Sequence, residues 1–234
     1  DLCRAYQFVR NLYHQGAAIM PFFSPAMFLG TRAPAAAAYV TRGGPSAETG
    51  SNPYTWSGVS IGTAASDRLV IVSVGWSVGG TVTLSSATIG GVSATIVAQT
   101  TGTNTGIAII AAVVPTGTTA DIVVTMSAAI SRFYYAVWRA TGLVSTTAYG
   151  TAAPAGGGDS ARSATIDVPA GGFVFATSTG ANSGGVTWTN VTEDWDYSDS
   201  NDKHNGGSAS SSTLQSGLSV SVSSARCICA GSWQ

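Results

Sequence analysis

The densest group of chemically capable side chains lies in one segment, residues 192–207, with the sequence TEDWDYSDSNDKHNGG. Five of the chain's eleven carboxylates fall within ten of these residues, beside two aromatic side chains and a histidine. Such a segment can bind a hard cation through carboxylate oxygens or contact a sugar through aromatic faces. A third interpretation is a solvated connection between two strands. The sequence alone leaves these three interpretations open.

The candidate calcium ligands are Asp194, Asp196 and Ser198. Oxygen-bearing side chains at alternating positions imitate the start of an EF-hand loop. The imitation ends at Asp199, where such a loop has glycine, and at Asn205, where it has a bidentate glutamate. Calcium is therefore a possible ligand, and no other cofactor is expected.

The candidate sugar-binding residues are Trp188, Trp195 and Tyr197. Their flat rings can stack on a sugar, while neighbouring Asp and Asn side chains accept hydrogen bonds from its hydroxyls. The competing interpretation places Trp195 or Tyr197 in the core, with the rest of the segment solvated.

The sequence contains no pattern typical of a catalytic site. Two carboxylates for glycoside hydrolysis must oppose each other across a cleft, whereas the acidic residues here share one segment. A Ser/His/Asp set would have to use His14 or His204, and no G-x-S-x-G motif is present. The glycines at 156–158 follow no strand-to-helix pattern that would hold phosphate. We therefore expect a protein that is not an enzyme.

Charge is scarce along the chain. Its 234 residues are 9% charged with a net charge of -1, against roughly 25% charged in ordinary soluble domains. Lys203 is the single lysine and the arginines are scattered, so no basic stripe predicts a nucleic-acid partner. Arg132 and Arg139 flank an aromatic run, and we expect them to cap it or to pair with Asp121 or Asp67. No apolar run reaches the roughly 18 residues that a membrane-spanning helix needs.

Two cysteines near the end of the sequence, Cys227 and Cys229, are separated by one residue. In a strand, this spacing places both on one face. Three cysteines in the chain do not make a disulfide framework. A metal site would need further ligands, which Cys3 with His14 or His204 supplies poorly. We interpret Cys227 and Cys229 as small core residues.

The elements that position these residues are predicted to be β-strands. Between Leu69 and Ser131 the only charged side chain is Asp121. Short runs rich in β-branched residues, closed by Gly, Pro and Asn, are typical of strands in a β-sandwich. We therefore predict an all-β fold, an antiparallel two-sheet sandwich over residues 51–234. The runs cover residues 69–74, 94–99, 107–114, 121–126, 133–138, 163–168, 172–178, 186–197, 207–214, 217–224 and 226–233.

Residues 55–142 and 163–234 resemble each other. LVIVSV in the first part corresponds to FVFATS in the second, Arg132 to Arg226, and Trp138 to Trp233. This pattern indicates a weak internal duplication. We expect one sandwich rather than two, because neither part alone is rich enough in large apolar residues for an independent core.

Residues 1–50 differ from the rest and are predicted to form an anchoring or oligomerisation arm. The arm is expected to be mostly irregular, with a short amphipathic helix near its start. An apolar segment that cannot bury itself should lie against something else, either a neighbouring subunit or its own sandwich. The residues expected to bind a partner are Phe22, Phe23, Met27, Phe28 and Leu29.

Four short phrases form a pattern when taken together: TIGGVSAT at 88–95, VPTGTTA at 114–120, DVPAGG at 167–172 and TEDWD at 192–196. They resemble phrases of a group of virion proteins from tailed phages and gene transfer agents of alphaproteobacteria. The resemblance covers roughly residues 55–234. It implies a jelly-roll-like β-sandwich on the outside of a particle, as head decoration, spike or tail-attached protein. No catalytic residues come with it, and the arm lies outside it.

We therefore expect a non-enzymatic structural protein at the surface of a phage virion. It would be a capsid decoration or cement protein, or a head spike, attached through its arm to other capsid or tail subunits, and a homo-oligomer. The alternative is a receptor- or polysaccharide-binding module of a phage tail or spike, with a host surface polysaccharide as its partner.

Overall fold

The structure, a computed structural model, describes residues 35–46, 52–181, 184–198 and 201–234. Within these ranges every regular element is a β-strand and every strand pair is antiparallel, which confirms the predicted all-β class. The strands in chain order are β1 (Ala36–Ser46), β2 (Tyr54–Ser60), β3 (Leu69–Ser77), β4 (Leu84–Ile89), β5 (Val92–Ser93), β6 (Thr95–Gly102), β7 (Thr105–Val113), β8 (Thr119–Met126), β9 (Arg132–Thr141), β10 (Gly150–Ala152), β11 (Ser160–Val168), β12 (Gly172–Ala181), β13 (Trp188–Thr189), β14 (Thr192–Ser198), β15 (Asp202–Ser211), β16 (Gln215–Ala225) and β17 (Cys227–Trp233).

The strands form four sheets, where the sequence analysis expected two. The first central sheet has the order β1-β9-β3-β7-β6, and the second central sheet has the order β10-β17-β12-β15-β14. The first outer sheet is β2-β8-β4-β5, and the second outer sheet is β11-β16-β13.

Three hydrophobic cores separate these four sheets. The first core joins the first outer and first central sheets, for example through Val72 of β3 and Ile122 of β8. The middle core joins the two central sheets, with Ile71 of β3 and Phe175 of β12 among its members. The third core joins the second central and second outer sheets, where Val174 of β12 is included. The sheets therefore stack as four layers, outer, central, central, outer.

The number of layers explains the continuous apolar runs in the sequence. All nine residues of β3 are buried, because its alternate side chains enter the first core and the middle core. Strand β8, in an outer sheet, alternates between buried and less buried positions instead. A strand covered on both faces has no solvent side to mark with polar residues. A sandwich of two sheets would have required alternation in β3.

The strand order of the first half recurs in the second. In the central sheets, β1, β9, β3, β7 and β6 correspond in order to β10, β17, β12, β15 and β14. In the outer sheets, β2, β8 and β4 correspond to β11, β16 and β13, and β5 has no counterpart. The two halves share a topology and face each other through their central sheets. Each half also has a core of its own between its two sheets. The expectation of one sandwich rather than two was therefore wrong, because the Val, Ile and Ala side chains of each half are sufficient for such a core.

Strand β1 lies within the stretch that the sequence analysis assigned to the arm. It pairs with β9 from Ala36 opposite Thr141 to Ser46 opposite Phe133, so this part of the stretch belongs to the first central sheet. The predicted helix near the start of the arm and the residues Phe22, Phe23, Met27, Phe28 and Leu29 lie outside the described residues. The described part of the chain contains no helix with the length and apolarity to cross a membrane.

Candidate functional site

Polar side chains converge between the two central sheets around His204 of β15. The imidazole packs on Gly75 of β3, where a Cβ atom would clash with the ring. His204 Nε2 lies 3.0 Å from Ser73 Oγ and 3.4 Å from Thr177 Oγ1, and the two hydroxyl oxygens are 2.7 Å apart. One hydroxyl from each central sheet therefore meets one imidazole nitrogen.

Aromatic rings close the space around this imidazole. The ring of Trp195 stands edge-on to it with centroids 4.6 Å apart, and the ring of Tyr134 lies at 5.6 Å. His204 is fully buried, and its Nδ1 atom has no hydrogen-bond partner among the described residues. Burial, followed by the charge of Arg42, lowers the pKa of His204 from 6.5 to about 3. The imidazole is therefore neutral near pH 7.

The Ser73–His204 contact is the arrangement in the described chain that most resembles a nucleophile and its base. Both residues are fully buried, and no carboxylate of the described residues orients the histidine through Nδ1. A substrate would have to separate the two central sheets to reach the hydroxyl. The geometry instead holds the two sheets in one relative position, because a displaced sheet would leave buried polar groups unpaired.

A second polar cluster lies beside the first and centres on Asp202 at the start of β15. Its carboxylate accepts hydrogen bonds from Ser77 Oγ at 2.7 Å and from Tyr134 Oη at 2.9 Å. Arg132 lies 3.2 Å away as an ion-pair partner. Asp202 is 5% exposed, so these hydrogen bonds to a charged group connect strands β3, β9 and β15 in a nearly dry environment.

The predicted ion pairs of Arg132 and Arg139 with Asp121 or Asp67 do not form, and all four side chains have other contacts. Arg132 pairs with Asp202 and not with Asp121 or Asp67. Arg139 donates a 2.7 Å hydrogen bond to the carbonyl of Thr63. The carboxylate of Asp121 accepts from Gly58 N, and that of Asp67 accepts from Gly142 N. The expected pairing with Asp121 or Asp67 was wrong because the packing of the two central sheets places Asp202 of β15 beside Arg132 of β9.

The candidate calcium ligands lie in strand β14 and not in a loop. The pairing of β14 with β15 has a bulge between Glu193 and Trp195, so Asp194 is the additional residue. Asp194 Oδ2 accepts a 2.8 Å hydrogen bond from the indole of Trp138, whereas Asp196 is opposite Asn205 on the next strand.

The third candidate, Ser198, accepts a hydrogen bond from the backbone of Gly184 at 3.1 Å. The side chains of Asp194 and Ser198 are thus held by two different neighbours, and Asp196 Oδ1 is buried with no hydrogen-bond partner among the described residues. Among the described residues, no group of three or more His, Cys, Asp or Glu is arranged to hold a metal ion. Asp199 lies outside the described residues.

The three candidate sugar-binding rings are divided between two cores. Trp188 pairs with β16 and packs against the third core. Trp195 is 6% exposed and packs in the middle core. Tyr197 packs against that same core, with the Arg42 guanidinium 5.6 Å from its ring centre. The structure therefore brings Trp195 and Tyr197 together in the core and does not place the three rings on one exposed face.

The cysteine interpretation is confirmed. Cys227 and Cys229 are free thiols in the middle core, both fully buried. Cys227 Sγ lies 3.8 Å from Thr105 Oγ1, and Cys229 donates to the carbonyl of Ile107 at 3.7 Å. Burial raises the pKa of Cys227 to about 11 and that of Cys229 well above its ordinary value. Both thiols are therefore protonated and unreactive near neutral pH.

Sequence reasoning missed several residues of these clusters, and one signal could have found two of them. When LVIVSV of β3 is aligned with FVFATS of β12, Ser73 falls on Thr177. These matched hydroxyls contact each other across the middle core. Equivalent residues meet in this way at a two-fold interface, so the repeat itself pointed to this contact.

Arg68 gave no such signal. Its guanidinium is fully buried and donates 2.7 Å hydrogen bonds to the carbonyls of Gly62, Val114 and Thr116. Burial, followed by the charge of Arg139, lowers its pKa. Arg68 thus joins the connection between β2 and β3 to the connection between β7 and β8. These connections are far apart in the chain, so the sequence around Arg68 does not predict this role.

An apolar groove opens at the surface on the side of β5, β6 and β7. It has a volume of about 450 Å³, and Val92, Ile96, Val113 and Ala148 are among its lining residues. A second, smaller groove of about 320 Å³ shares Thr147 and Ala148 with the first, and Val144, Tyr149 and Gln234 are among its other lining residues. None of the residues that line either groove is charged.

No family model matches the chain, and no curated protein or solved structure matches it either. The fold and the buried clusters therefore define its class by themselves: a layered, all-β protein whose polar side chains join its sheets.

Proposed function

We propose that this protein is a non-enzymatic structural protein of a virion. It acts as a capsid decoration or cement protein, or as a head spike, at the surface of a phage particle. Its N-terminal arm attaches it to other capsid or tail subunits, and it forms homo-oligomers. Neither a cofactor nor nucleic acid enters this proposal.

The observation that carries the proposal is the burial of the side chains best suited to chemistry. Ser73 and His204 are enclosed between the central sheets, where Ser73 Oγ and His204 Nε2 lie within hydrogen-bond distance of each other. Trp195, which a sugar could have used, is a core residue. In an enzyme such groups line an accessible cleft, whereas in this fold they stabilise a four-layer stack suited to a rigid, mechanically robust part of a particle.

The phrases that resemble virion proteins add support of a different kind. Three of the four span tight turns with glycine at positive φ: Gly90 and Gly91 at 60° and 78°, Gly117 at 72° and Gly171 at 71°. Glycine adopts such backbone conformations more readily than other residues, with asparagine next, as at Asn104 and Asn190 of this chain. The shared phrases thus coincide with places where the backbone constrains the residue type, which favours a shared fold more than a shared binding site.

The charge-poor surface supports attachment through apolar contacts. Apolar burial contributes roughly 25 cal/mol per Å², so an arm carrying residues such as Phe22 and Phe23 can add several kcal/mol on a neighbouring subunit. The described surface offers an uncharged groove of suitable character for such a contact. Assembly is therefore the role that best fits both the arm and the exposed grooves.

The experiment that tests this proposal is the copy number of the protein in purified particles, measured by quantitative mass spectrometry against the major capsid protein. We expect a ratio near one, or a simple fraction of it, because decoration proteins follow the capsid lattice. A handful of copies per particle would favour the alternative, a receptor- or polysaccharide-binding module of a tail or spike. Absence from particles would contradict both.

A further inference from the structure

We propose that the uncharged groove beside β5, β6 and β7 binds the N-terminal arm of a second copy of this chain. The contact would lie between residues 15–31 of one copy and the groove of the other. This inference rests on the proposed assembly role and names its partner.

Four of the five exposed large hydrophobic side chains in the described chain occur in these two adjoining grooves. They are Val92 at 41% exposure, Val113 at 37%, Val144 at 61% and Tyr149 at 55%. Single exposed apolar residues are ordinary, but contiguous ones mark surfaces that another segment covers. The fifth, Leu214 at 58% exposure, lies elsewhere, in the turn between β15 and β16.

The chemistry of the groove matches one segment of the sequence. Residues 15–31, QGAAIMPFFSPAMFLGT, contain no charged side chain and include three phenylalanines. Because no charged residue lines the groove, a charged partner would lose hydration without gaining an ion pair. An apolar, uncharged segment has no such cost.

Strand β1 begins at the end of the first central sheet that carries the groove. The described chain enters β1 at Ala36, opposite Thr141 of β9. At the same end, Leu69 of β3 pairs with Ala140 of β9 and with Val113 of β7, and both Leu69 and Val113 line the groove. Four residues, 32–35, separate the segment 15–31 from Ala36, and residues 15–35 span at most roughly 70 Å when fully extended.

Arm exchange explains why apolar surface exists on both sides of the contact. An arm that covered its own subunit would bury the same residues without linking two chains. An arm donated to a neighbour buries them and joins the subunits, and each copy offers both an arm and a groove. A self-complementary arrangement of this kind is the usual basis of homo-oligomers.

Photo-cross-linking of the full-length chain tests the proposal. Benzoylphenylalanine placed at Val92 should, after irradiation, give a band of twice the chain mass on a denaturing gel. Peptide mass spectrometry of that band should locate the link within residues 15–31. A link to residues 15–31 inside a band of single-chain mass would overturn the proposal, and so would the absence of any link to this segment.

Matched variants sharpen the result. Substituting Phe22→Asp together with Phe23→Asp should lower the yield of the double-mass band at least about tenfold, because charges do not enter an apolar groove without cost. Val113→Asp in the groove should have a similar effect. Leu214→Asp, an equally exposed residue away from the groove, is the control and should leave the yield within about twofold. Equal losses in all three variants would contradict a specific groove.

The outcome separates this inference from the proposed function. Cross-linked pairs from a protein that is absent from particles would support arm exchange and refute the virion role. Normal copy numbers on particles of the protein with benzoylphenylalanine at Val92 and no other substitution, together with no cross-linked pairs from that protein, would refute arm exchange alone.

Discussion

The imidazole of His204 is fully buried between Gly75 and the rings of Trp195 and Tyr134. The cost of burying a charge there keeps the ring neutral, with a pKa of about 3. An unfolded chain exposes the same imidazole with an ordinary pKa near 6.5. At mildly acidic pH, His204 is therefore protonated in the unfolded state but not in the folded state.

The free energy of unfolding should consequently fall as the pH drops below 6.5. The slope approaches about 1.4 kcal/mol per pH unit, so the stability that is complete above pH 6.5 decreases by about 2 kcal/mol at pH 5. We expect the variant His204→Gln to lack this loss, because glutamine does not titrate. Urea unfolding of both proteins at pH 7 and pH 5 measures the difference. An equal loss in both would show that the buried imidazole accepts a proton without unfolding.

At the scale of elements, Asp202 connects strands that belong to different halves of the chain. Ser77 and Tyr134 of the first central sheet donate hydrogen bonds to it, while it begins β15 of the second. The charge of Asp202 thus serves the contact between the sheets. This nearly buried carboxylate, together with the contact of His204 with Ser73, therefore stabilises the position of β15 relative to the first central sheet.

The substitution Asp202→Asn preserves the shape of this side chain and removes its charge. We expect it to lower the free energy of unfolding by about 2 kcal/mol, because hydrogen bonds to charged groups are worth more than neutral ones. Tyr134→Phe removes a single donor and should cost about 1 kcal/mol. A double-mutant cycle measured by urea unfolding should show coupling between the two. Strictly additive effects would mean that the tyrosine hydroxyl does not act through Asp202.

The element scale also shows where sequence-based prediction succeeded. The runs of β-branched residues at 69–74, 107–114 and 121–126 correspond to β3, β7 and β8, because strand propensity and turn residues are local properties. The segment at 192–207 was harder: its first residues belong to the predicted run 186–197, but its acidic residues also suggested a solvated connection between strands. It forms β14 and much of β15, because a bulge at Asp194 and burial of Trp195 allow polar residues to lie in strands.

At the scale of the whole molecule, the middle core makes the two halves dependent on each other. Its residues come from both central sheets, so separating the halves would expose Phe175 and Trp138 to water. The outer cores are further from this contact and are each formed within one half. We therefore expect the described fold to unfold as one cooperative unit.

Truncating one valine in each outer core tests this cooperativity. Val72→Ala lies in the first core and Val174→Ala in the third, and both side chains are almost fully buried. Each should destabilise the protein by about 2 kcal/mol and shift a single calorimetric transition to lower temperature. Two transitions, of which each variant moves only one, would show that the halves unfold independently.

The sequence by itself determined the all-β class, the strands of the apolar runs, the buried cysteines and the likeness of the two halves. These follow from local propensity, turn chemistry and the spacing of side chains along a strand. The tertiary structure alone decided that the sheets number four and that β1 joins the first central sheet. It also decided that His204 meets Ser73 and that Asp202 meets Tyr134. Those contacts join residues far apart in the chain, and which faces meet depends on how complete sheets stack.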